Sequence, residues 1–71
     1  MERKIYLYAD MVKIPTITLT QQDKAEIIRL SMWSKLTAYE DQKALCFSGE
    51  QNNLYQFLIN LSLNGWHFTL F

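Results

Sequence analysis

The chain is poor in the residues that build metal sites and covalent staples. Cys46 is its only cysteine and His67 its only histidine among 71 residues. An intrachain disulfide is therefore excluded, and a protein-only metal site is not expected. No cofactor motif is present either. Ser48-Gly49 has a single glycine and no following lysine, far short of a phosphate-binding loop. Glycine occurs twice and proline once, so there is no linker and no low-complexity tract. Charge of one sign is missing too: seven basic residues offset seven acidic ones. That balance removes the basic face of a non-specific nucleic-acid binder and the acidic excess of a DNA mimic. The unbroken apolar runs are short, so no bilayer-spanning helix is expected.

What is present is enough for one domain over residues 1–71. A chain of this size buries only about 60% of the surface its unfolded form exposes. With neither disulfide nor metal, close packing or association with a second copy or a partner must make up the difference; a homodimer is one expectation. Met1-Glu2-Arg3-Lys4 leads into alternating residues rather than an apolar signal core. With a lone free thiol, this gives a cytoplasmic location as the expectation.

Lys4 to Ala9 alternates with period two, placing Ile5, Leu7 and Ala9 on one face and Lys4, Tyr6 and Tyr8 on the other. Asp10 to Lys13 is read as a turn. Pro15 marks a strand start, an edge or a bulge; residues 4–20 read as a hairpin whose second strand is Thr16–Thr20, with Ile17 and Leu19 inward, or as one long strand broken near Pro15. Thr20 is placed to cap a helix over residues 21–34, with Asp23 favourable near its N-terminus. Ala25, Ile28, Met32 and Trp33 share one side of that helix. Ile27 and Leu30 form a smaller patch nearly opposite, expected to face a partner. Residues 36–47 read as a hairpin around Glu40-Asp41-Gln42, although Thr37-x-x-Glu40 also fits a capping box.

A second helix is announced by Ser48-x-x-Gln51, again a capping box, and by Leu54, Phe57, Leu58 and Leu61 at helical spacing. Tyr55, Ile59 and Leu63 widen that stripe. Gly65 suits the left-handed position that ends a helix. Trp66, Phe68 and Leu70 then alternate with His67, Thr69 and Phe71 in a closing strand. The fold class predicted is α+β: an antiparallel sheet with two helices on one face, ordered ββαββαβ or its ferredoxin-like reduction βαββαβ.

If the apolar set lies under the helices, Tyr6, Tyr8, His67 and Phe71 occupy the opposite sheet face, joined by Tyr39. Aromatic rings there can anchor a protein, stack bases, or simply stiffen cross-strand pairs. The layout resembles RNA-recognition modules, but their basic-glycine-aromatic signature is absent. A ribbon-helix-helix reading fails on neutral charge, and a helix-turn-helix reading fails because residues 51–63 are too apolar for a groove. His67 has no carboxylate or nucleophile at a catalytic spacing. Cys46, between Leu45 and Phe47, reads as a small buried hydrophobe. The carboxylates show no paired arrangement.

The expectation is a non-enzymatic protein that binds another protein, as an inhibitor or adaptor. The contact residues are Tyr6, Tyr8, Tyr39, His67 and Phe71, with Ile27 and Leu30 as an accessory patch. In size and lack of motifs the chain resembles small proteins carried by phages and mobile elements, which occlude host proteins such as defence nucleases. The alternative expectation is a small, dimeric nucleic-acid-binding regulator.

Overall fold

The computed structural model describes residues 4–70. β1 (Lys4–Leu7) and β2 (Met11–Pro15) form an antiparallel hairpin, with Tyr6 opposite Lys13 and Leu7 opposite Val12. The Tyr8 amide donates to the Met11 carbonyl at 2.8 Å, so the chain reverses at Ala9–Asp10, earlier than the sequence suggested. The expected strand over Thr16–Thr20 does not form. Val12 and Ile14 supply the inward alternation instead, and Thr16–Thr18 is a single 3-10 turn. Pro15 ends the strand, having no N–H with which to continue a ladder. Ile17, expected inward, is 92% exposed.

α1 (Gln21–Trp33) starts on a complete capping box. The Asp23 amide donates to Thr20 Oγ1 at 3.1 Å and the Thr20 amide to Asp23 Oδ2 at 3.0 Å. Its facing is the reverse of the sequence reading except at Ile28, which is half-buried against the core. Ile27, Leu30 and Ser31 are buried, whereas Ala25, Met32 and Trp33 are exposed. Ser31 explains the reversal: its hydroxyl donates to the Ile28 carbonyl at 2.6 Å. Satisfied within its own helix, it packs as a small apolar residue, completing a stripe with Ile27 and Leu30 that hydrophobicity alone does not show.

β3 (Thr37–Glu40) and β4 (Ala44–Ser48) form the expected hairpin. Asp41 selects it over a helix: its carboxylate accepts from the Lys43 and Ala44 amides at 2.9 and 2.8 Å, closing the turn from within. α2 (Gln51–Leu63) follows, but its N-cap is Glu50 and no side chain caps it. The expected box at Ser48 does not form because Ser48 is the last paired residue of β4, held between Met11 and Thr37.

β5 (Thr69–Leu70) completes a five-stranded sheet in the order β3-β4-β2-β1-β5. The element order is ββαββαβ, the first of the two expected. The first four strands pair antiparallel, but β5 joins β1 in parallel, with Lys4 opposite Thr69. Direction follows from the crossover: β4 runs the same way as β1, and α2 returns the chain to start β5 in that direction again.

Both helices pack on one face. Ile5, Val12, Ile14, Leu45 and Phe47 from the sheet join Ile27 and Leu30 of α1 and Leu54, Phe57 and Leu61 of α2 in one buried cluster. The Phe47 and Phe57 rings, 4.7 Å apart and tilted, tie the sheet to α2.

Candidate functional site

Neither helix covers the other face of the sheet. Across β3, β4, β2 and β1, the directly opposed residues on it are Tyr39, Cys46, Lys13 and Tyr6. Three inter-strand gaps of about 4.8 Å make this row about 14 Å long. Tyr8, just past β1, folds back beside it, with the Lys13 ammonium 5.9 Å from its ring centre. Tyr8 and Tyr39 are about half exposed, at 52% and 49%, and Tyr6 is exposed as well. Lys13 is thus a cation beside Tyr6 and Tyr8, with Tyr39 at the far end of the row past Cys46.

Two shallow grooves border the row. One, about 310 Å³, is lined by Tyr8, Asp10, Met11 and Lys13. The other, about 330 Å³, is lined by Lys4, Tyr6, Pro15, Ile17 and Thr18. Ile17 therefore belongs to this face, a membership its apolar character concealed. Lys13 was legible: Met11-Val12-Lys13-Ile14-Pro15 alternates as cleanly as Lys4–Ala9 and points Lys13 away from Val12 and Ile14.

Cys46 lies in the same row yet is fully shielded from solvent. Its thiol donates to Asp41 Oδ2 at 3.9 Å. The Tyr39 hydroxyl is held above its ordinary pKa, first by its hydrogen bond with Cys46, then by charge repulsion from Cys46, partial desolvation and Asp41. Asp41 is held below its ordinary value, chiefly by the Lys43 and Ala44 amides, which outweigh an opposing desolvation, with smaller help from Lys13 and Cys46. Tyr39 is therefore a neutral phenol and Asp41 an anion at neutral pH. A shielded thiol beside a neutral phenol makes a surface for hydrogen bonding and stacking.

Of the residues singled out in the sequence, Tyr6, Tyr8 and Tyr39 are brought together. His67 is not among them. It is exposed, and lines a cavity of about 190 Å³ with Leu58, Leu61 and Ser62 on the α2 side. Among the described residues, strand pairing at the chain's end spans Thr69–Leu70, so period-two alternation does not govern His67. Phe71 lies outside the described residues. Ile27 and Leu30 are core residues and offer no surface to a partner. No group of three metal-ligating side chains occurs among the described residues, and no helix among them is long and apolar enough to cross a membrane.

The chain matches no known protein family, no curated protein and no solved structure.

Proposed function

We propose that this chain is a non-enzymatic protein that acts by binding another protein through the open face of its sheet. The observation that carries this reading is the placement of Tyr6, Tyr8 and Tyr39 with Lys13 on one face of the sheet, bordered by Met11, Pro15 and Ile17. Tyrosines with apolar neighbours and few charges match the composition of protein interface cores. Such rings immobilise cheaply, because each has only two rotatable side-chain bonds.

A nucleic-acid partner uses the same rings less well. Met11, Pro15 and Ile17 have no role against phosphate, and Asp10 and Asp41 stand at the margin of the face where a phosphate chain would pass. We read the action as occlusion, that of a cytoplasmic inhibitor or adaptor covering a partner's surface. Small phage and mobile-element proteins that block host defence proteins work in this way.

Replacing Tyr6 and Tyr8 together by Ala tests the reading. Capture of the protein partner is expected to be lost while the circular-dichroism spectrum stays native. Retained capture sinks the assignment. Binding to a single-stranded oligonucleotide that weakens steeply with salt would move it to nucleic acid.

A further inference from the structure

The fourteen charged side chains all lie within residues 1–50, and residues 51–71 contain none. α2 is therefore an uncharged helix with a solvent-facing side. Its buried side is Leu54, Phe57 and Leu61. The opposite side presents Asn52, Tyr55, Gln56, Ile59, Ser62 and Leu63, all exposed, with Leu63 at 78%. Tyr55, Ile59 and Leu63 are spaced four residues apart and form one apolar row along the helix. A solvated helix face normally carries charged or polar residues; here the polar ones beside the row are amides and a hydroxyl, and none is charged.

We infer that this face of α2 is a self-association surface, on which a second copy of the chain docks by a two-fold axis through Ile59. Complementarity favours a second copy. An outside partner would have to supply a matching uncharged surface, whereas a second copy carries one by construction, with no like charges to oppose across the axis. Asn and Gln side chains each hold a donor and an acceptor, so an amide can pair with its own image. The row is symmetric about Ile59. In an antiparallel pair the two Ile59 side chains meet on the axis, and Tyr55 of each copy lies against Leu63 of the other. Antiparallel packing also opposes the two helix dipoles favourably. The docking leaves both tyrosine faces free, on sheets turned outward from the axis.

A standard interface takes about 800 Å² from each partner, roughly a sixth of this chain's 4807 Å². Docking through a single helix face is expected to give a concentration-dependent rather than an obligate dimer. Sedimentation equilibrium from micromolar to near-millimolar concentration tests it. The mass of the intact protein is expected to climb from 8.4 kDa towards twice that value. Ile59→Glu places two like charges on the axis and is expected to raise the dissociation constant by about thirtyfold, the scale of a central interface residue. Its circular-dichroism spectrum should not change. Mixing the Ile59→Glu and Ile59→Lys variants should restore the doubled mass, which a mere folding defect cannot do. Leu63→Glu, at a more exposed site, should weaken the dimer as well. A wild-type mass fixed at 8.4 kDa overturns the inference, whatever else binds this face. So does an Ile59→Glu variant that dimerises as the wild type does.

Discussion

The ammonium of Lys13 stands 5.9 Å from the centre of the Tyr8 ring, within the distance at which a cation and an aromatic face attract. The register adds Tyr6 on one side of Lys13 and Cys46 on the other, with Tyr39 beyond. Lys13 therefore stands beside the two rings of its own hairpin, Tyr6 and Tyr8, while Tyr39 lies one strand further on, past Cys46. At an exposed site such a contact is worth about 0.5–1 kcal/mol, enough to bias the Tyr8 ring towards the sheet and pre-order it for a partner.

Tyr39 stands directly opposite Cys46 in the β3–β4 pair, and Cys46 has no solvent exposure. In the native protein the thiol should react slowly with an aromatic disulfide reagent. Tyr39→Ala should raise that rate on the order of tenfold or more, since access limits a buried thiol. Tyr39→Phe, which keeps the ring, should raise it far less. Equal rates for wild type and Tyr39→Ala would show that something else shields the sulfur.

The two helices end in the same way with different residues. Lys35 donates to the Met32 carbonyl at 3.1 Å and Leu36 to Ser31 at 3.2 Å; Gly65 donates to Ser62 at 3.1 Å and Trp66 to Leu61 at 2.9 Å. Each is a Schellman closure, with a buried Leu36 or Trp66 folding back on the helix. The left-handed residue is Lys35 in one, at φ 59°, and Gly65 in the other, at φ 85°. Gly65→Ala should cost about 1–2 kcal/mol, the strain of that conformation. Lys35→Gly should instead stabilise by about 0.5–1 kcal/mol, since relieved strain exceeds the added unfolded-state entropy. Urea unfolding of both variants checks the opposite signs; the same sign for both would refute this account of the helix ends.

Much of this fold was legible because local signals agreed with it. Thr20 and Asp23 mark the start of α1, Gly65 the end of α2, and Asp41 sits where the β3–β4 turn needs a side-chain acceptor. The misreadings arose where a longer-range contact overrode a local signal. Ser48 has the letters of a cap but is already paired to Met11 and Thr37. Ile27 and Leu30 form the smaller apolar patch of α1, yet Ser31 joins them underneath. Ile17 reads as inward only if Pro15 begins a strand rather than ending one. In the candidate site, Tyr6, Tyr8 and Tyr39 followed from alternation. His67 did not, because its segment precedes the paired residues of β5.

Acid should loosen the β3–β4 hairpin before the rest. Asp41 has a folded pKa below its unfolded value of about 3.9, chiefly through the Lys43 and Ala44 amides. The carboxylate's contribution is therefore fully present above the unfolded value and is lost as pH falls through the lower folded one. Wild type should be more stable than Asp41→Ala at about pH 7, with the difference shrinking below about pH 4. Denaturation curves of both proteins at several pH values measure this. A difference that does not change on acidification would contradict it.

Amide chemical-shift mapping shows which face of the protein meets its partner. The isotope-labelled protein would be titrated with the protein partner recovered by capture, at a concentration where the protein itself is monomeric. Shifts are predicted to concentrate at Tyr6, Tyr8, Lys13, Ile17 and Tyr39, with the outer side of α2 unaffected. Shifts confined to Tyr55, Ile59 and Leu63, or to the cavity beside His67, would contradict the assignment of the sheet face.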